Sequence, residues 1–365
     1  MPADLKAIIS AIIYSIFSVI TYLPLRKRYR NKKTKVSMVY LLIIPLMWAW
    51  FQKFVNGAKI INGGDRDNYL QDFNGRLTGY VGFDYYLQIA HLVTNDFYKV
   101  LYFTTFICCV LVAIAYLYSK DSNPNTMLIL FCTPFVLNTF VNLKQCLAGV
   151  FATIMFSLLS RPSSIKRDTL CIICIIFACS FHPCGYLLIP LFFLSCSSNR
   201  VDIRMVFIVT IILAFFLQPV ALFVAKNTSS LLPKLSYKLT EYFMENSTHE
   251  NDGSNIAFIK ATPYYIATAL GFMKRKQCME TDEKYDMYLF ILMVSSVSYA
   301  CSIVSYWLIR LMALLYFPNS IAIYKIISAE RNPKKRLMQY IVIVGGIAFF
   351  TIRSLMLNII NYGGY

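Results

Sequence analysis

The sequence predicts an all-α polytopic membrane protein with about twelve transmembrane helices. Three observations predict it. Of 365 residues, 58% are hydrophobic and 15% charged, where a soluble domain averages roughly 45–50% and about 25%. The mean hydropathy is +0.56. Apolar runs near the length of a bilayer span recur along the whole chain, broken by charge, Pro or Gly clusters. The chain also carries 35 Lys and Arg against 18 Asp and Glu, a net charge of +17. This composition excludes disorder, a disulfide scaffold and a soluble enzyme.

The runs fall at 7–24, 37–55, 97–118, 126–141, 143–159, 169–182, 184–198, 205–224, 256–273, 287–305, 308–327 and 337–357. The first leads straight into a basic loop and carries no small-residue cleavage site, so it reads as a span rather than a signal peptide. The stretches 126–159 and 169–198 each read as a tight helical hairpin or as one broken span.

Orientation follows from Lys and Arg. The loop after the first span holds Arg26, Lys27, Arg28, Arg30, Lys32, Lys33 and Lys35. Alternate loops repeat the bias with Lys120, then Arg161, Lys166 and Arg167, then Arg200 and Arg204. Lys274, Arg275, Lys276 and Lys284 follow, and finally Arg331, Lys334, Lys335 and Arg336. Twenty-one of the 35 basic residues therefore sit on short loops of one face. The positive-inside rule makes that face cytoplasmic. An even number of spans puts both termini on the periplasmic side and favours two spans for each short hairpin. The basic surplus then marks orientation, and no nucleic-acid partner is implied.

Two connectors on the outer face, 56–96 and 225–255, exceed the usual length of a simple loop. In the first, Phe83, Tyr86, Leu87, Ala90 and Val93 form a helical stripe; in the second, Leu232, Leu235, Leu239, Tyr242 and Phe243 do so. Both predict helices lying in the membrane interface. No internal repeat divides the chain, so 1–365 reads as a single integral membrane domain.

Most of the 11 Cys lie inside apolar runs and read as small hydrophobes. Cys171 and Cys174 have C-x-x-C spacing, but no second pair or His follows at ligand distance, so no metal is expected. Cys146 and Cys184 lie near the outer face and pair only if the fold brings them together. Nucleotide-binding glycine loops, the G-x-S-x-G elbow and H-E-x-x-H are absent, and no cofactor is implied. The glycosylation-like triplets at Asn227 and Asn246 read as chance.

Four polar groups at the outer membrane edge carry the functional signal. Gly63-Gly64-Asp65-Arg66-Asp67-Asn68-Tyr69, with Tyr80-Val81-Gly82-Phe83-Asp84 behind it, reads either as a solvated loop with an Asp helix cap or as a carboxylate base or sugar ligand. Lys144-Gln145 opens a span from outside, as a snorkelling Lys or as a donor to an anionic ligand. Phe181-His182-Pro183 lies at an outer turn, with a structural or a proton-transfer role. Arg310, beside Trp307 and just inside a span, either snorkels or binds phosphate bidentately. Cations at the membrane edge suit a lipid-linked diphosphate; neighbouring carboxylates and aromatics suit sugars.

At these residues the chain resembles the EpsG-like group of Wzy-type polysaccharide polymerases. The family pattern is matched by Asp65 or Asp67 with Tyr69, Gly82-Phe83-Asp84, Lys144-Gln145, Phe181-His182, and Arg310 with Tyr316-Phe317. Lys144 stands where the family usually has Arg, which keeps charge but loses the bidentate fork. Asp84 shortens the family's Glu by one methylene.

The resemblance implies a GT-C-like, metal-independent glycosyltransferase of the bacterial inner membrane. It would join undecaprenyl-diphosphate-linked oligosaccharides at the periplasmic face, the growing chain as donor and the next repeat unit as acceptor. Arg310, then Lys144, would stabilise the diphosphate, and Asp65, Asp67 or His182 would serve as base. Gln145, Tyr69 and Asp84 would bind substrate. The bilayer and a chain-length regulator would be partners. The competing readings are an O-antigen ligase, a flippase or transporter of the same lipid-linked sugars, and a membrane acyltransferase. The transporter predicts charges lining a cavity at mid-membrane. The acyltransferase predicts a His and an Arg near the start, and the first span has neither.

Overall fold

The computed structural model describes residues 2–31, 39–56, 64–121, 123–197, 216, 219–220, 222–229, 236, 240, 259–280, 282, 284–301 and 311–362. Residues 27–31, 56, 64–67, 140–141, 196–197 and 361–362 are described along the backbone only. Among the described residues there is no strand. The helices are α1 (Ala3–Asn31), α2 (Ile44–Asn56, entered through a π-turn at Val39–Ile43), α3 (Gly64–Phe73), α4 (Val81–Val93) and α5 (Phe97–Tyr118). They continue as α6 (Pro124–Cys132), α7 (Phe135–Val141), α8 (Leu143–Leu159), α9 (Ile165–Phe181) and, after a 3₁₀ turn at Pro183–Leu187, α10 (Leu188–Ser197). Then come α11 (Thr262–Met273), α12 (Arg275–Met279), α13 (Tyr285–Ala300), α14 (Met312–Ser328), α15 (Pro333–Gln339) and, through a π-turn, α16 (Gly346–Tyr362).

Local chemistry places several starts. Asp96 caps α5 by accepting from the Tyr98 amide, and Ser164 caps α9 by accepting from Arg167. Asn123 and Thr126 form a capping box around Pro124, whose fixed φ suits the first helical position.

Among the described residues three segments are long and apolar enough to cross a membrane: Ala3–Arg26, Phe97–Tyr118 and Pro333–Ile360. Val39–Val55, Leu143–Leu159, Pro183–Ser195 and Met312–Ser328 are apolar but shorter. On α1 the residues Leu5, Ile8, Ile12, Ile16, Val19 and Leu23 are exposed, whereas Ala7, Tyr14, Thr21 and Leu25 on the opposite face are buried. An exposed apolar stripe of that length belongs against lipid. The described residues are those of a helical membrane protein. The expected count of twelve spans is not reached by the described residues. The run 205–224 and the connector 225–255 fall largely outside them, including the expected stripe from Leu232 to Phe243.

The run 126–141 is a broken helix, not a continuous span. Pro134 has no N–H for the Leu130 carbonyl, and the hydroxyl of Thr133 takes that bond at 2.5 Å. The hydroxyl of Tyr14 donates to the Phe131 and Thr133 carbonyls at 2.9 and 3.1 Å. Backbone irregularity in an apolar setting is tolerated where side chains satisfy the freed groups. Trp48 packs face to face with Phe131 beside this break and edge-on to Tyr14 and Phe51.

α8 is the central helix. It packs against α5, α9 and α14, and most of its side chains are buried. Gly149 lets α14 come this close, because a Cβ there would collide with the Ala313 carbonyl.

The connections gather at two ends. At one, Arg161 donates to the Tyr118 carbonyl and lies over its ring, 3.5 Å from the centroid. Lys284 reaches the Leu159 carbonyl at 2.7 Å. Lys325 pairs with Asp282 and, at 3.6 Å, with Asp121, and Lys274 pairs with Glu330 at 3.3 Å. These are loops that the basic residues assign to one side. Here burial lowers the Lys284 pKa and raises that of the Cys278 thiol. The opposite end carries α3, α4, the start of α8 and the turn after α9.

Candidate functional site

The site is built around the first turn of α8. Lys144 occupies that turn, where unsatisfied N–H groups make the helix end positive and disfavour a cation. The fold supplies the compensation from α3. Tyr69 and Asp72 lie three residues apart on one face of α3, and Asp72 Oδ2 meets Lys144 Nζ at 3.1 Å. The rings of Tyr69, Tyr80 and Phe83 stand 5.3, 5.1 and 4.9 Å from the ammonium. A carboxylate and three ring faces thus enclose one cation.

α4 is brought down onto α9 by Gly82, where any Cβ would strike Ser180. Its inner face buries Phe83, Leu87 and Ala90, while Val81, Tyr85, Ile89, Leu92 and Val93 are exposed. Asp84 lies in the first turn of α4 and accepts from the Thr78 amide at 3.0 Å and hydroxyl at 2.7 Å. It closes the loop between α3 and α4. The Tyr86 hydroxyl bonds to Thr104, and burial raises its pKa, so the phenol stays protonated.

His182 ends α9 and begins the 3₁₀ turn. Its Nδ1 accepts from the Cys184 amide at 3.2 Å, so in the neutral ring the proton sits on Nε2. The Tyr80 ring stacks on the imidazole, 5.9 Å between centroids. Tyr80 therefore neighbours both His182 and Lys144.

Gln145, the next residue on α8, is 2% exposed, and its Oε1 has no partner among the described residues. Asp65 and Asp67 fall on the first turns of α3 by backbone, on the same short helix as Tyr69. Arg310 lies outside the described residues, immediately before the α14 region. Tyr316 and Phe317 are buried on α14, and the Tyr316 hydroxyl accepts from Asn138 at 3.4 Å.

A cleft of about 500 Å³ opens between the end of α3 and α4, bordered by Asp72, Arg76, Asp84, Gln88 and His91. The His91 ring stacks on Phe73 at 3.8 Å. Asp72 and Arg76 escaped the sequence reading. Their i, i+4 spacing, three residues after Tyr69, was the available signal. Cys146 packs against Cys108 rather than Cys184, with sulfurs 3.8 Å apart, and both remain thiols. Among the described residues no three His, Cys, Asp or Glu come together as a metal site.

Fold and site together define a helical membrane protein that gathers an enclosed cation, a buried carboxylate and a histidine at one end. The chain belongs to the EpsG family, whose sequence model matches residues 54–363. No curated protein and no solved structure matches it significantly.

Proposed function

We propose that the protein is a polysaccharide polymerase, a membrane glycosyltransferase that joins oligosaccharide repeat units carried on undecaprenyl diphosphate. The reaction would take place at the periplasmic face of a bacterial inner membrane, with a GT-C-like arrangement of spans and both termini outside. Membership of the EpsG family supports a polymerase-type role. The observation that carries the reading is the meeting, at one end, of Lys144 from α8, His182 from the end of α9 and the helix bearing Asp65, Asp67 and Tyr69.

In the reaction, a hydroxyl oxygen of the acceptor unit forms a bond to the anomeric carbon of the donor. The bond from that carbon to the diphosphate oxygen breaks, undecaprenyl diphosphate leaves, and the hydroxyl proton passes to a base. Asp65, Asp67 and His182 are the base candidates; on His182 the lone pair is on Nδ1, which would have to release the Cys184 amide to take the proton. Charge on the leaving diphosphate would be met by a fixed cation, Arg310, instead of a metal ion. Gln145 and Tyr69 would contact substrate, and Asp84 would do so only by releasing Thr78. A chain-length regulator is the expected protein partner.

Incubation of the purified protein with a lipid-linked repeat unit tests this. A ladder of products on a gel, formed without any acceptor core, is the expected result. A single transfer onto an added lipid core would make it a ligase instead, and no covalent product would leave a transporter. Arg310→Ala should abolish the ladder; normal chain lengths in that variant would remove Arg310 from the mechanism.

A further inference from the structure

Asp72 is the acidic group on which this end of the molecule is built. Its side chain is 1% exposed, and a carboxylate so buried must be paired. Oδ2 takes Lys144, and Oδ1 takes Arg76 Nε at 2.7 Å and Nη2 at 2.6 Å. Arg76 gives its other donors to Gln71 Oε1 at 2.8 Å and to Asn68. It folds the following turn back onto α3. The Lys144 side chain is 14% exposed, between Asp72 and the three rings. An ammonium so enclosed has little surface left for an incoming diphosphate.

The pair holds geometry instead. It joins the end of α3 to the first turn of α8, across 72 positions of chain. Tyr80 carries the join onward, lying under the Lys144 ammonium and stacked on His182. We propose that Asp72, through its pair with Lys144, is a positioning residue that latches the α3–α4 hairpin over the start of α8 and sets that hairpin against His182. Lys144 then serves the site by holding Asp72, not by gripping the diphosphate. The activity arm of the test rests on the polymerase reading; the proteolysis arm does not.

The full-length protein is purified in detergent as wild type, Asp72→Asn, Lys144→Gln, Lys144→Arg and the Asp72→Asn/Lys144→Gln double variant. Trypsin cleavage after Arg76 is followed by mass spectrometry, and rates are measured against lipid-linked substrate. Lys144→Gln, distant in sequence, should speed cleavage after Arg76 by about tenfold as the hairpin lifts. Asp72→Asn and Lys144→Gln should each lower kcat by about tenfold or more with KM within about twofold, as misplacement does. The double variant should be no worse than either single. Lys144→Arg should behave as wild type in both assays.

Wild-type resistance to trypsin in Lys144→Gln overturns the latch. A rise in KM in Lys144→Gln that Asp72→Asn does not share overturns it too, and makes Lys144 a substrate ligand. Should a charge variant aggregate, Tyr80→Leu removes one ring and no charge; it must still raise cleavage after Arg76, and no rise overturns the proposal. If wild type forms no ladder, the polymerase reading fails while the proteolysis still decides the latch.

Discussion

Gln145 sits one residue beyond Lys144 and points an acceptor into the interior without a partner among the described residues. A buried polar atom left unsatisfied costs about 1–3 kcal/mol, so the residue is hard to explain by packing alone. Gln145→Leu is nearly isosteric and removes that atom. We expect the thermal midpoint of the purified protein to stay level or rise while polymer formation falls. An unchanged product ladder would assign Gln145 to packing. Asp84 shows the opposite pattern: both described bonds to its Oδ1 come from Thr78, and it serves the loop. The sequence left Asp84 open between cap and ligand, and only the fold displays that bond pair.

Among the elements, α8 and α14 are the pair on which the interior depends. The closeness at Gly149 leaves no room for a side chain, because the obstacle is the backbone carbonyl of Ala313 rather than a flexible tip. Gly149→Val should therefore force the helices apart at a cost of about 1–3 kcal/mol or more. The check is the yield of monodisperse protein by size-exclusion chromatography; normal yield would mean the contact is adjustable. The broken run 126–141 teaches a related lesson. Its hydropathy is that of a span, yet Pro134 divides it, and the hydroxyls of Thr133 and Tyr14 make the break tolerable. Hydropathy records what a segment dissolves in and is blind to where its backbone bonds go.

For the whole molecule, the packing brings together those basic loops that lie among the described residues. Loops rich in Lys and Arg meet at one end through Arg161 with Tyr118, Lys284 with Leu159, and Lys325 with Asp121 and Asp282. Lys144, Asp72 and His182 meet at the other. Reporter fusions at 120 and 331 should give a cytoplasmic signal and fusions within 225–255 a periplasmic one. Signals from 120 and 331 on opposite sides would contradict the ion pairs that tie those loops together.

Hydropathy and charge by themselves determined that the chain is helical, that it belongs in a membrane, and where several helices lie. The runs 97–118 and 143–159 coincide with α5 and α8. Those properties are local: a run of apolar residues and a capping side chain act within a few positions. Lys144 and His182 were legible because each stands at the edge of such a run, and Tyr69 through the ordered motifs of the family resemblance. Asp72 was not, since nothing in its neighbourhood shows that its partner lies 72 residues away. Nor was the enclosure of Lys144, which turns an apparent phosphate ligand into a tether. Contacts between distant segments depend on which helices pack together, and packing is decided by close approaches such as that at Gly149, which leave no periodic mark on the sequence.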